Sequence, residues 1–115
     1  KCYKILKEKE LVGYFILKNY LGKKCQIIDF LAANNSDVYN TIINKSIEFA
    51  KENNLTEISL WVPKDISFYA YLKKIGFEER RMKTYFIIKK LNGNSDQYLE
   101  NFKNWYITMG DSDVF

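Results

Sequence analysis

The sequence of 115 residues contains no histidine and only one proline. Without an imidazole, the chain cannot use histidine as a general base, as a metal ligand or as a member of a catalytic triad. It also has no apolar run of membrane-spanning length, and no signal-peptide pattern opens it. We therefore expect a cytoplasmic protein that does not enter the membrane.

Cysteine is scarce as well, with Cys2 and Cys25 as its two occurrences. Both stand among apolar residues in strand-like sequence. Thiols in such positions are typically buried and unpaired in proteins of a reducing compartment. The sequence therefore predicts two buried free thiols.

Hydrophobic and aromatic residues are plentiful, which predicts one packed domain over residues 1–115. Because strand-like sequence begins at Lys1, we expect the chain to be part of a longer protein. The net charge of +4 comes from scattered lysines. It suits an anionic cofactor or nucleic acid, but compositional background is the more common cause, and we do not expect nucleic acid as a partner.

The first half of the sequence predicts three strands, at residues 1–7, 11–17 and 25–31. Short links between them favour an antiparallel meander. Gly13 inside the second strand indicates a bulge or a close approach of another backbone.

The third strand opens a βαβ unit. Apolar residues at helical spacing predict a helix over residues 38–52, capped by Ser36 or Asp37, and residues 58–62 form the next strand. The two strands should be parallel with a right-handed crossover. The loop entering the helix offers backbone N–H groups and a positive dipole end, so residues 32–41 are the first place to seek an anion site. The charge of Asp37 would nevertheless repel a phosphate.

The second half predicts a short helix over residues 66–75 that Gly76 ends in the left-handed conformation. Strands at 84–88 and 105–109 come next, with a short helix at 97–104 between them. The fold class is thus α/β in an α+β arrangement, a mixed sheet built from a meander, a βαβ unit, a short helix and two final strands. The apolar stripe of the 66–75 helix comprises Phe68, Tyr71, Leu72 and Ile75.

The segments 42–51, 58–62 and 65–77 resemble the GNAT superfamily of acyl-CoA-dependent N-acetyltransferases. The most specific part is the sequence YLKKIGF at residues 71–77. The resemblance extends over nearly the whole chain, although the family's first strand and first two helices have no counterpart. It implies a GNAT-like mixed sheet whose 25–31 and 58–62 strands splay apart at their C-terminal ends. It also implies transfer of an acyl group from acetyl-CoA to an amine.

The chain departs from the family in its cofactor loop. The family's Arg/Gln-x-x-Gly-x-Gly/Ala pattern falls on residues 34–39, which contain no glycine, arginine or glutamine. Leu72 stands where the family often has the tyrosine that protonates the departing thiolate, and Asp65 stands where an asparagine is frequent. A second interpretation therefore stays open, a catalytically inactive GNAT-fold module for binding or dimerisation.

By resemblance, a backbone N–H on the strand before the loop polarises the thioester, and Asp29 is the candidate base. An ordinary hydrogen-bonded strand carboxylate is the alternative for Asp29. Tyr69 and Tyr71 are the candidate acids, or ordinary core and surface tyrosines. The implied cofactor-binding residues are Phe30, Leu31, Ala32, Ser36, Asp37, Val38, Tyr39, Asn40, Thr41, Asp65 and Phe68.

The partners implied are acetyl-CoA or a related acyl-CoA and an unidentified amine, with a second domain or a homodimer as further options. We predict no metal site. Asp111 and Asp113 have the residue type of a metal ligand, but two carboxylates in a polar break are more typical of a solvated turn.

Overall fold

A computed structural model describes residues 1–80 and 106–109. Over this part the chain is a small α+β domain with a mixed four-stranded sheet and two helices. The sheet order follows the chain order, β1-β2-β3-β4. The elements are β1 Cys2–Lys7, β2 Glu10–Tyr20, β3 Lys24–Ala32, α1 Ser36–Glu52, β4 Glu57–Leu60 and α2 Ser67–Lys74.

The predicted meander and βαβ unit are confirmed. β1, β2 and β3 pair in antiparallel fashion, and β3 pairs with β4 in parallel. β2 is longer than predicted and reaches Tyr20. The connection between β1 and β2 consists of Glu8 and Lys9 alone, with φ angles of 51° and 70°. Both residues of this turn are therefore left-handed, as tight two-residue hairpins require.

Gly13 fulfils both functions that the sequence indicated. The register between β1 and β2 shifts beside it, which marks a bulge. A Cβ atom at Gly13 would lie 2.8 Å from the carbonyl oxygen of Leu31. Glycine is therefore needed here because the β3 backbone passes too closely for a side chain.

The parallel pairing of β3 with β4 is short. It runs from Lys24 opposite Glu57 to Ile27 opposite Leu60, which is four residue pairs. β3 continues to Ala32, and within the described residues no strand pairs with residues 28–32 on the β4 side. We call residues 28–32 the open edge of β3.

A second bulge lies where the open edge begins. Leu17 of β2 pairs with Ile27 and Ile16 pairs with Asp29, so Ile28 is the additional residue. Bulges bend a strand and re-aim the side chains beyond them. The helix-facing positions of β3 are Cys25 and Ile27 before the bulge and Phe30 after it, which leaves Asp29 on the opposite face.

Helix α1 begins at Ser36, two residues earlier than the predicted start at residue 38. Asn35, in an extended conformation, is the N-cap, and its side chain accepts a hydrogen bond from the Asp37 amide at 2.8 Å. The prediction of Ser36 or Asp37 as the cap was therefore wrong, because both residues already lie in the first helical turn. Asp37 retains the favourable position of a carboxylate near the positive end of the helix dipole.

Helix α2 ends as predicted. Gly76 has a φ of +106°, its amide bonds to the Lys73 carbonyl, and the Phe77 amide bonds to the Leu72 carbonyl at 2.9 Å. These two bonds complete a Schellman motif. The predicted stripe is correct for Phe68 and Leu72, which are buried, but wrong for Ile75, which is 44% exposed. Ile75 lies at the C-cap, beyond the last residue that faces the sheet.

The core lies between the sheet and the two helices. Cys25 is fully buried there, whereas Cys2 is exposed on the edge strand β1. The prediction of two buried thiols was therefore wrong for Cys2, because Cys2 lies on the outer face of β1, whereas Tyr3 and Ile5 on its inner face pack against the core. The core is formed mainly by Phe15, Leu17, Cys25, Ile27, Phe30, Val38, Tyr39, Ile42, Ile43, Ala50, Phe68 and Leu72.

Several predicted elements of the second half lie outside the described residues, namely the strand at 84–88, the helix at 97–104 and the polar break at 110–113. The predicted strand at 105–109 was wrong for residues 106–108, which are not in a strand. Side chains of this segment bond to β3 instead, through Tyr106 and Thr108. In the described ranges, neither helix combines the length and apolarity that crossing a bilayer demands.

The α1 cap leads to a first prediction. Replacing Asn35 by alanine should lower the free energy of unfolding by about 1 kcal/mol, because the Asp37 amide loses its partner. Asn44→Ala, in the exposed middle of the same helix, is the matched control and should leave stability unchanged or slightly raised. Urea unfolding measures both, and an equal loss in the two variants would contradict the cap assignment.

The two thiols lead to a second prediction. Burial raises the pKa of Cys25 to about 11, so the native protein holds little of its thiolate at pH 8. Iodoacetamide at that pH should alkylate Cys2 and spare Cys25, whereas in concentrated urea both should react. Mass spectrometry of the two peptides reads out the result. Equal native labelling rates would contradict the burial of Cys25.

Candidate functional site

A cleft of about 330 Å³ lies beside the open edge of β3. It is bounded by the end of β3, the start of α1 and the first residues of α2. Six of the eleven residues predicted to bind a cofactor line it. The lining residues are Phe30, Leu31, Ala32, Asn34, Tyr39, Asp65, Ile66, Ser67, Phe68 and Tyr106.

The backbone of the open edge points into this region. The Ala33 amide bonds to the Val12 carbonyl of β2 at 2.9 Å. Backbone groups of successive residues in a strand alternate in direction, so those of Phe30 and Ala32 point away from β2. Of the predicted amides at residues 30–32, those of Phe30 and Ala32 are thus directed to the cleft side, whereas that of Leu31 is directed to β2.

Aromatic rings form the inner wall of the cleft. Tyr39 stacks on Phe68 with 4.7 Å between ring centroids, and Phe30 meets Phe68 edge to face at 5.1 Å. The Tyr39 hydroxyl donates to the Asn34 side chain at 3.1 Å. Phe30 and Phe68 are fully buried, and through these ring contacts the wall joins β3, α1 and α2.

Tyr106 closes the wall on the open-edge side. Its hydroxyl donates to the Phe30 carbonyl at 2.7 Å, and its ring meets that of Phe30 edge to face. Burial, together with the nearby charge of Asp29, raises the pKa of Tyr106 above its usual value. The hydroxyl therefore remains protonated at neutral pH and keeps its donor proton.

The N-terminus of α1 is less open than the βαβ pattern suggested. The Asp37 amide is bonded to the Asn35 side chain, and the Tyr39 amide to the Asn35 carbonyl. Among the predicted cofactor residues here, only Tyr39 lines the cleft. Those that do not line it are Ser36, Asp37, Val38, Asn40 and Thr41.

The reasons differ among these five residues. Val38 is buried in the core, while Ser36 and Asp37 are exposed to solvent. The Asn40 side chain accepts a hydrogen bond from the Tyr71 hydroxyl, and the Thr41 hydroxyl bonds to the Asp37 carbonyl. The side chains of Asn40 and Thr41 are thus already bonded to other groups of the protein, although Asn40 is exposed.

Asp29 lies on the sheet face opposite the helices. One carboxylate oxygen accepts from the Tyr14 hydroxyl at 3.1 Å and the other from the Thr108 hydroxyl at 3.0 Å. This hydrogen-bonded strand carboxylate matches the alternative that the sequence left open. It also lies next to Phe30, so its carboxylate and the cleft are on opposite sides of the open edge.

The structure does not bring the two candidate acids together. Tyr71 is half-buried behind the aromatic wall, with its ring 5.4 Å from that of Tyr39. Tyr69 is on the other side of α2, where its hydroxyl donates to Glu79 at 3.0 Å, and this bond raises its pKa. Leu72 is 2% exposed and belongs to the core.

A second, larger groove of about 950 Å³ lies along β4, α2 and the end of α1. Its floor is apolar, with Ile58, Leu60 and Phe77 among its residues. Ion pairs such as Lys64 with Glu79 and Lys24 with Glu57 lie at its rim. Tyr69 faces this groove rather than the cleft beside β3.

Charge near the cleft is negative. Asp65 is the one ionisable carboxylate among its described lining residues, and no lysine or arginine is among them. Asp37 adds a second carboxylate in the first turn of α1. In the described part of the chain, no group of three potential metal ligands was found.

The predicted cofactor-binding residues omitted four that line this cleft, Asn34, Ile66, Ser67 and Tyr106. Asn34 stands in the loop that lacks the family's glycines, and its side chain accepts a hydrogen bond from the Tyr39 hydroxyl. Tyr106 is 76 residues from its partner Phe30, and no local pattern signals so distant a contact.

Comparison of the chain with models of protein families, with curated proteins and with solved structures found no match.

The aromatic wall leads to a third prediction. Phe68→Ala should lower the free energy of unfolding by about 3–5 kcal/mol, because it removes a buried ring that contacts Tyr39 and Phe30. Ile75→Ala on the same helix should cost about 0.5 kcal/mol or less, since that side chain is largely exposed. Urea unfolding of both variants tests the assignment, and similar losses would show that the wall does not anchor α2.

Proposed function

We propose that the domain binds an acyl-CoA in the cleft and transfers the acyl group to an amine, as an N-acyltransferase of GNAT type. The observation that carries this proposal is the open edge of β3 along a preformed cleft. Parallel pairing with β4 ends at Ile27, while β3 extends to Ala32. An extended ligand that carries amide groups can add to such an edge as a strand would.

The pantetheine arm of CoA is a ligand of this kind, because it is extended and carries amide groups. The backbone groups of Phe30 and Ala32 on the cleft side could bond to it, while Phe68 and Tyr39 offer an apolar surface. The reactive thioester would then lie at the open edge. This placement agrees with the resemblance at residues 71–77.

The chemistry proposed is direct acyl transfer. The amine nitrogen attacks the thioester carbon, a C–N bond forms, and the C–S bond breaks with its electron pair on sulfur. The Ala32 amide is the proposed donor to the carbonyl oxygen as negative charge develops there. A water molecule takes the proton from the amine, because the Asp29 carboxylate lies on the opposite side of the open edge and accepts two hydroxyl hydrogen bonds there. CoA thiolate is a fair leaving group, so it can depart without a tyrosine at position 72.

A second candidate function is a GNAT-like binding or dimerisation module without catalysis. Three observations favour it. Asp37 and Asp65 would repel the phosphates of CoA, the Asn35 cap already occupies an α1 amide, and Leu72 is buried in the core. In this alternative the scaffold is retained and the cleft serves another ligand or none.

The two functions are separated by two measurements on the same protein. Under the first proposal, CoA and acetyl-CoA raise the melting temperature in a saturable manner, and thiol release from acetyl-CoA accelerates with at least one amine of a broad panel. Saturable binding without turnover would favour the module. Absence of both would refute the acyl-CoA proposal.

The charge at the α1 N-terminus leads to a fourth prediction. We propose that the CoA phosphates lie at the N-terminus of α1, within residues 34–41. Asp37→Asn should then tighten CoA binding about two- to fivefold at low salt, because it removes a carboxylate from this region and keeps the backbone. Glu52→Gln makes the same charge change at the far end of α1 and should leave affinity unchanged. Calorimetric titration measures both. Weaker binding by folded Asp37→Asn protein would place the phosphates elsewhere.

A further inference from the structure

The Phe30 carbonyl is the central acceptor on the open edge, and it is already occupied. Tyr106 donates to it at 2.7 Å, and the two aromatic rings contact each other at 5.7 Å. Tyr106 also lines the cleft, so its hydroxyl lies between the cleft and the strand. A ligand that adds to this edge meets Tyr106 at the position where its own N–H would donate.

The hydrogen bond from Tyr106 to the Phe30 carbonyl competes with any ligand that would donate to the same carbonyl. Tyr106 is 41% exposed, so part of the residue faces solvent while its ring contacts Phe30. The hydroxyl is a neutral donor at physiological pH, as tyrosine ordinarily is, and burial with the charge of Asp29 raises its pKa further from that range. The direction of the Phe30 carbonyl is fixed by the pairing of Asp29 and Leu31 with β2 on either side of it.

We infer that Tyr106 is a specificity-determining residue of the cleft, whose hydroxyl holds the Phe30 carbonyl in the free protein and must release it to an amide-bearing ligand. The inference rests on the proposed function, with the pantetheine arm of an acyl-CoA as that ligand. Binding then exchanges one hydrogen bond for another, and the affinity is lower by the worth of the bond that breaks. A ligand without an N–H group cannot replace the bond that Tyr106 gives up, so it binds more weakly than an amide-bearing ligand.

The test uses Tyr106→Phe, which keeps the ring and removes the hydroxyl. The free variant should melt at a lower temperature than the wild type, because the Phe30 carbonyl loses its partner. The same variant should bind acetyl-CoA about fivefold more tightly, the factor that one neutral hydrogen bond is worth. A residue with a merely structural role would lower the melting temperature without raising the affinity.

Tyr69→Phe is the matched control. It removes a hydroxyl from α2 that bonds to Glu79 on the side of the second groove. It should leave the acetyl-CoA affinity unchanged. Melting by calorimetry and binding by isothermal titration are measured on all three proteins.

The outcomes separate the inference from the proposed function. Tighter binding by Tyr106→Phe, with Tyr69→Phe equal to the wild type, supports both. If the wild type binds acetyl-CoA and Tyr106→Phe binds it with the same or a lower affinity, the inference is overturned and the proposed function stands. If no protein of the set binds acetyl-CoA, the proposed function fails and the inference falls with it.

Discussion

The early end of the parallel ladder between β3 and β4 is the constraint on which the rest of the structure depends. Four residue pairs join the two strands, and the bulge at Ile28 then re-aims the side chains of residues 29–32. Without the bulge, the alternation that buries Cys25 and Ile27 would direct Asp29 into the core, where an unpaired carboxylate is costly. With it, Phe30 enters the core and Asp29 finds two hydroxyl donors on the opposite face.

The site combines a favourable shape with an unfavourable charge. Backbone polar groups, aromatic surface and a preformed cleft suit an extended amide ligand, whereas Asp37 and Asp65 oppose a phosphate. Surface charges act at long range in water and are screened by salt, so their effect on affinity is modest. The geometry of the strand edge is local and is not screened. Shape therefore weighs more than charge in our preference for an acyl-CoA ligand.

The elements of residues 1–80 could be predicted from sequence because their signals are local. Apolar periodicity defined the strands and both helices, and Gly76 defined the end of α2. The predictions that failed depended on the surroundings in three dimensions. The exposure of Cys2 results from its position on the outer face of β1, and that of Ile75 from its position at the C-cap of α2.

The candidate site was predictable to a similar degree. Its β3 and α2 portions came from the resemblance at residues 71–77, but the role of Asn35 required knowing which of several adjacent capping residues adopts the extended conformation. Tyr106 depends on a contact across 76 positions. Such contacts are fixed by packing of the whole domain and leave no trace in a short window of sequence.

The turn at Glu8 and Lys9 has a consequence for folding and local opening. Two non-glycine residues with positive φ make this turn a poor nucleus, because asparagine and glycine adopt that geometry at lower cost. The hairpin should therefore close late, on a β2 already paired with β3. β1 pairs with β2 alone among the described strands, so it can detach while the pairing of β2 with β3 remains. Its detachment would bare the long β2 edge, where strand addition between copies of the chain can begin.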